Sequence, residues 1–192
     1  MGDINQKIYL KKFVPEVEGA VLEIGSKDYG NTSSFRDFYN NNEYVGVDLE
    51  AGKNVDYVAD LTEGTGGLKE NYFSLGICCS VLEHVRQPWK MADNLTSLIK
   101  TDGSLYISVP WVWSYHPYPD DYFRFSWKGI IELFPGFDWK HAYYSTNHPG
   151  ELIEIKDGDE DNKLKIKKRF LTKKRRYLPF LMVNMIGIKK TD

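Results

Sequence analysis

The stretch from Ala20 to Leu61 constrains this chain more than any other. Val21, Leu22 and Ile24 make a short apolar run interrupted by Glu23, and Gly25 ends it in a polar, glycine-containing loop. Thr32–Asn40 then has helix-like spacing, so the segment reads as strand, tight loop, helix. Tyr44–Asp48 is a second β-branched run ending on a carboxylate, and Asp56–Asp60 is a third. Each strand therefore delivers an acidic residue at or near its carboxyl end, which is where open α/β sheets bind their ligands.

A loop between a first strand and a helix sets unpaired backbone N–H groups beside the ligand, and glycine lets the backbone come close. Asp48, at the end of the second strand, can accept hydrogen bonds from two ribose hydroxyls, and it lies 25 positions after Glu23, near the roughly 20 expected of a dinucleotide fold. That interval does not separate NAD from an adenosyl cofactor. Three details favour the adenosyl cofactor. The loop Gly25-Ser26-Lys27-Asp28-Tyr29-Gly30 lacks G-x-G-x-x-G, and its Asp28 would repel phosphate. Glu23, just before the loop, suits an ammonium and a sulfonium. Asp60 can accept from an adenine amino group. Lys27 is expected to turn away from such a cationic ligand, or to meet its carboxylate.

Further along stand Phe73–Val85, FSLGICCSVLEHV, and Thr101–Pro110, TDGSLYISVP. With the first segment, these resemble the class I S-adenosylmethionine-dependent methyltransferases of the methyltransferase type 11 kind, over roughly Val21 to Phe134. Lys27 and Tyr29 depart from that family's alternating glycines; a branch with a G-S-x-D loop is more similar. The resemblance implies an α/β fold: a Rossmann-like, seven-stranded, mostly parallel sheet with helices on both faces and a C-terminal antiparallel strand pair. It also implies S-adenosyl-L-methionine as cofactor, held by Glu23, Gly25, Ser26, Asp48, Leu49, Asp60, Leu61 and Ser80, and methyl transfer to a small-molecule or glycan-type acceptor. A cofactor-fold binding subunit without turnover is an alternative. A nicotinamide oxidoreductase is another, opposed by the loop and by the lack of a Tyr-x-x-x-Lys pair.

With 192 residues and 42% hydrophobic content, the chain can bury one core, so a single domain over residues 1–192 is expected. LIEI and LKIK flank Asp157–Asn162 like the arms of a hairpin inserted around residues 147–176. Nine basic residues and no acidic one lie in Lys163–Arg176, which reads as a solvated strand face or as a contact for nucleic acid, acidic membrane or a phosphorylated acceptor. Neither D-P-P-Y nor Pro-Cys occurs, so DNA methyltransferase motifs are absent and nucleic acid is not the expected acceptor. Asp157, Asp159 and Asp161 open like a calcium loop, but Asn162 and Lys168 stand where Gly and Glu are needed, so no metal is expected. Cys78 and Cys79 point to opposite faces of a strand and read as reduced thiols. Met1–Lys12 has no signal-peptide core, and the apolar run Tyr177–Ile188 is too short to span a bilayer, so a cytoplasmic protein is expected.

Ile4, Ile8 and Phe13 have loosely helical spacing. Pro88 suits the first turn of a helix to about Ile99, with Trp89, Ala92, Leu95, Leu98 and Ile99 as its buried stripe and Asp102-Gly103 after it. Trp127–Phe134 reads as a helix capped by Ser126, and Phe137–Tyr144 and Leu181–Lys189 as the last two strands.

Two stretches offer chemistry. Glu83-His84 follows the fourth strand, near where a methyl group would be delivered; the pair reads either as catalytic, through His84, or as hydrogen-bonding residues that shape the turn. Trp111–Trp127, WVWSYHPYPDDYFRFSW, has eight aromatic residues in 17, stiffened by Pro117 and Pro119. It reads as a wall over the strand ends, or as ordinary aromatic packing. Its His116 and Asp121 are the candidates for a base within reach of an acceptor's proton. Asp121 and Arg124, at i and i+3, can alternatively pair to pin the loop.

Overall fold

The computed structural model describes residues 2–30, 34–156 and 180–191. Helix α1 (Gly2–Phe13) leads into β1 (Val21–Ile24), a 3₁₀ turn (Arg36–Phe38), β2 (Tyr44–Asp48), β3 (Tyr57–Val58) and β4 (Phe73–Cys79). A second 3₁₀ turn (Leu82–His84), α2 (Pro88–Leu98), β5 (Ile99–Val112), α3 (Trp127–Leu133), β6 (Phe137–Ser145), β7 (Leu152–Glu154) and β8 (Leu181–Lys189) follow. The described strands form one sheet in the order β3-β2-β1-β4-β5-β8-β6-β7. β1 to β5 run parallel, β8 is antiparallel to both β5 and β6, and β7 is antiparallel to β6. The order reverses between β1 and β4, so the carboxyl ends of these two strands open a crevice of the kind that binds ligands in doubly wound sheets.

Strand alternation sends the central residues to two cores. Leu22, Ile24, Cys78, Leu105 and Ile107 pack with Met91, Leu95 and Leu98 of α2 and Ile130 of α3. Val21, Leu75, Ile77 and Tyr106 pack on the other face with Tyr9 and Leu10 of α1 and with Phe35 and Tyr39. Each fully buried Leu or Ile here contributes about 1.5–3 kcal/mol relative to an exposed one. The α3 N-cap forms as its sequence predicts, with Gly129 N–H donating to Ser126 Oγ at 3.1 Å.

Several expectations are corrected. The sheet has eight described strands, because Leu152–Glu154, one arm of the anticipated hairpin, pairs along the free edge of β6. The other arm, with the aspartate turn and the basic run Lys163–Arg176, lies outside the described residues. In place of a helix over Thr32–Asn40, the described part holds one 3₁₀ turn, anchored by buried Phe35 and Tyr39; residues 31–33 lie outside the description. The α2 stripe omits Trp89, which is 53% exposed. The helix passes into β5 at Ile99 with no loop, and Asp102 (φ +60°) and Gly103 sit inside that strand.

In α1 the expected apolar stripe is misplaced: Ile4 is exposed, while the polar Asn5 and Gln6 are buried. Asn5 Nδ2 donates to the carbonyls of Thr146 (2.7 Å) and His148 (2.9 Å), and Gly150 N–H donates to Asn5 Oδ1 (2.7 Å), tying the helix to the loop after β6. No helix among the described residues is long and apolar enough to cross a membrane.

Candidate active site

A cleft of about 1300 Å³ opens over the carboxyl ends of the parallel strands. Of the residues expected to bind a cofactor, Glu23, Gly25, Asp48, Leu49, Asp60, Leu61 and Ser80 line it. Ser26 does not. Its hydroxyl is buried against Gly46, and its N–H, like that of Gly25, donates to the Val47 carbonyl (3.2 and 2.9 Å), so it supports the loop. Gly25 is required by its backbone: φ is +74°, and an added Cβ would stand 2.4 Å from Val81 Cγ2.

The carboxylates of this half differ in environment. Asp48 is nearly buried at 9% exposure and accepts from Lys27 N–H at 3.0 Å and Glu50 N–H at 3.4 Å, which fixes its plane and leaves lone pairs for a ligand. Asp60 is exposed and accepts from the N–H and hydroxyl of Thr62 through Oδ1 alone. Glu23 is buried and accepts from Tyr44 Oη at 2.7 Å. Burial pushes its carboxyl up to about 7, against that hydrogen bond and the charge of Arg36. A cation bound beside it would restore the ionised form. Lys27 lines the cleft with its ammonium on Glu50 at 2.6 Å and over the Tyr29 ring.

The opposite half is built by the turn after β4 and the aromatic stretch after β5. Tyr122 N–H and Phe123 N–H donate to the Glu83 carbonyl (2.8 and 3.2 Å), drawing the wall down onto the turn. Trp113, His116, Pro117, Tyr118 and Pro119 thereby line the cleft, and Tyr118 meets Tyr29 edge-on at 4.7 Å across its mouth. Both readings of the wall hold in part, because Trp111 stacks on Tyr144 at 4.9 Å and Phe125 and Trp127 pack against the core.

His84 and His116 face each other with ring centroids 5.0 Å apart, and the Nε2 of each lies 3.9 Å from Glu83 Oε1. His84 Nδ1 is 2.6 Å from the Asp120 carbonyl, and burial lowers the pKa of this imidazole. Asp121 stands behind His116: it accepts the His116 N–H at 2.8 Å and pairs with both terminal nitrogens of Arg124 at 2.5 and 2.6 Å. The guanidinium holds the Asp121 carboxyl well below the usual carboxylate range. The i, i+3 pairing reading of Asp121 and Arg124 is therefore realised.

Sequence reasoning missed two residues. Gln6 reaches the cleft from α1, and its Nε2 donates to Ser80 Oγ (3.2 Å) and Ser108 Oγ (3.1 Å). Nothing in the local sequence marks it. Glu83 shapes the turn through its backbone carbonyl, but its side chain is fully buried and neither carboxyl oxygen has a hydrogen-bond partner. Burial raises its carboxyl to about 8. The adjacent L-E-H run is the signal that points to it.

No protein-family model matches this sequence, and no curated protein does. The fold, in contrast, has clear counterparts among solved structures. A S-adenosylmethionine-dependent methyltransferase from Thermotoga maritima is 16% identical with a TM-score of 0.62, covering 97% of this chain and 89% of its own. One from Archaeoglobus fulgidus is 16% identical with a TM-score of 0.63, covering 96% and 93%. The Burkholderia thailandensis 1,6-didemethyltoxoflavin-N1-methyltransferase, solved with 1,6-didemethyltoxoflavin and S-adenosylhomocysteine, is 14% identical with a TM-score of 0.62, covering 98% and 79%. This chain has the fold of the class I S-adenosylmethionine-dependent methyltransferases.

Proposed function

We propose that this protein is a S-adenosyl-L-methionine-dependent methyltransferase acting on a small-molecule or glycan-type acceptor. The observation that carries the reading is the division of one cleft into two halves. Asp48 and Asp60 line one side at the ends of neighbouring strands, while Glu83, His84 and His116 line the other beneath the aromatic wall. In this reading Asp48 accepts from the ribose hydroxyls, Leu49 and Leu61 bracket the adenine, and Asp60 takes its amino group. Gly25, Glu23 and Ser80 border the methionine end, where Glu23 faces the ammonium.

Methyl transfer is an in-line displacement. The acceptor's lone pair forms a bond to the methyl carbon, the carbon–sulfur bond breaks, and its electron pair stays on sulfur as S-adenosylhomocysteine leaves. Positioning supplies most of the acceleration, and an acceptor that carries a proton needs a base within about 3 Å. His84 and His116 are those bases in our reading, with Asp121 positioning His116 through its backbone N–H. Titration calorimetry tests the cofactor assignment. S-adenosylhomocysteine should bind and NAD should not, and Asp48→Ala should weaken binding by about 1.5–3 kcal/mol, the scale of hydrogen bonds to a charged group. Unchanged affinity in that variant would overturn the placement.

A further inference from the structure

Glu83, His84 and His116 each offer one ligand atom, and the three atoms lie within 4.8 Å of one another. The tautomers follow from the partners. His84 Nδ1 faces the Asp120 carbonyl at 2.6 Å, which only an Nδ1–H can satisfy. His116 Nδ1 faces the Ser114 carbonyl at 3.0 Å and Asp121 Oδ2 at 3.3 Å, while the donor Arg124 Nη2 lies farther away at 3.4 Å. Both imidazoles thus hold their proton on Nδ1 and turn the Nε2 lone pair toward Glu83. Such carbonyl- and carboxylate-anchored imidazoles are the usual outer support of metal-ligating histidines.

The result is two imidazole lone pairs and one fully buried carboxyl group converging on one point, with neither carboxyl oxygen partnered by a hydrogen bond. Arg124, the neighbouring cation, is committed to Asp121. A shared proton could join only two of the three groups, and at 3.9 Å it would join them poorly. A cation joins all three at once. We propose that Glu83, His84 and His116 form a binding site for a divalent first-row transition-metal ion, with open coordination positions facing the cleft. Two imidazoles and one carboxylate select zinc, cobalt, manganese or iron over magnesium and calcium, which take oxygen ligands. Tetrahedral ligands about 2.1 Å from a metal sit roughly 3.4 Å apart, so the trio needs to contract by about half an ångström along each 3.9 Å edge and by at most about 1.4 Å between the two imidazole nitrogens, which lie within 4.8 Å.

This site stands on three side chains and does not depend on the methyltransferase reading. If both hold, the bound ion occupies the Nε2 lone pairs, and the acceptor-side chemistry changes. An acceptor oxygen at an open position would be made acidic by the ion, and its proton would pass to solvent in the open cleft in place of an imidazole.

The test uses the unaltered 192-residue chain, stripped with a chelator and titrated with cobalt(II). About one equivalent should bind, with visible absorption bands. In proton NMR the ring signals of His84 and His116 should shift or broaden while those of His141 and His148, the chain's other two histidines, stay in place. Magnesium should do neither. His116→Ala, on the partly exposed wall, should lose at least tenfold in cobalt affinity. Should that variant not fold, the four histidine signals of the unaltered protein decide alone. Absence of stoichiometric binding, or shifts at His141 or His148 instead, would overturn the site. Cobalt binding without S-adenosylhomocysteine binding would remove the methyltransferase reading and leave this site standing; the converse would do the reverse.

Discussion

Replacing Glu83 by Gln isolates the most unusual group in the cleft. Burial raises its carboxyl from 4.5 to about 8, so between those pH values the folded protein carries a proton that the unfolded chain has released. Native stability from this group is therefore full below pH 4.5, falls as pH rises, and levels off above about 8. The slope approaches about 1.4 kcal/mol per pH unit, and at pH 7 the accumulated cost is about 3 kcal/mol. Gln cannot titrate, so the variant lacks this slope; whatever its amide loses in that pocket is a constant offset. Glu23, with its carboxyl at about 7, acts in an overlapping window but is present in both proteins and cancels in their difference. Urea unfolding of both proteins at pH 5, 6, 7 and 8, with a chelator present to keep cations out, measures that difference. It should move steadily in favour of Glu83→Gln as pH rises. A difference that stays flat would mean that Glu83 is ionised in the folded protein throughout, and the unpartnered burial argument would fail.

Other changes probe the two halves of the cleft. His116→Ala or Asp121→Asn should lower turnover by about a hundredfold or more while leaving S-adenosylhomocysteine affinity nearly unchanged, read by steady-state kinetics beside calorimetry. Loss of cofactor binding at normal turnover per bound cofactor would instead assign the wall to the cofactor. Gly25→Ala forces a Cβ into Val81 at a positive φ and should cost about 1–3 kcal/mol in thermal unfolding together with weaker cofactor binding. Gln6→Ala leaves Ser80 and Ser108 without their α1 donor and should destabilise the protein by about 1–3 kcal/mol; an unchanged melting curve would show that α1 is held mainly through Asn5.

β1 and β2 were legible because buried parallel strands need short apolar, β-branched runs, β1 stopping at Gly25 and β2 at Asp48 on the rim, whereas β3 is a short, exposed pair, Tyr57–Val58, marked mainly by the acids that flank it. The α3 cap and the C-terminal strands were legible for similarly local reasons. What failed was decided by distant partners. Asn5 and Gln6 are buried because carbonyls at residues 146 and 148 and two serine hydroxyls wait for them, so the Ile4 and Ile8 spacing pointed to the wrong face. Trp89 follows helical spacing but lies off the buried face of α2, which runs through Pro88, Met91, Ala92, Leu95 and Leu98. β7 exists because β6 offers a free edge, a property of the sheet and not of LIE. In the site, His84 and His116 were each visible, but their convergence on Glu83 depends on Tyr122 and Phe123 binding the Glu83 carbonyl, a closure that no local spacing encodes.

In the function proposed above, one cleft divides into a cofactor half at Asp48 and an acceptor half at Glu83, His84 and His116. A crystal structure of the protein with S-adenosylhomocysteine tests it most directly. The ribose hydroxyls should lie on the Asp48 carboxylate, the adenine between Leu49 and Leu61, and the sulfur should be directed toward the space under His84, His116 and Trp113. A ligand seated with its ribose away from Asp48, or with its sulfur turned from the two histidines, would contradict it.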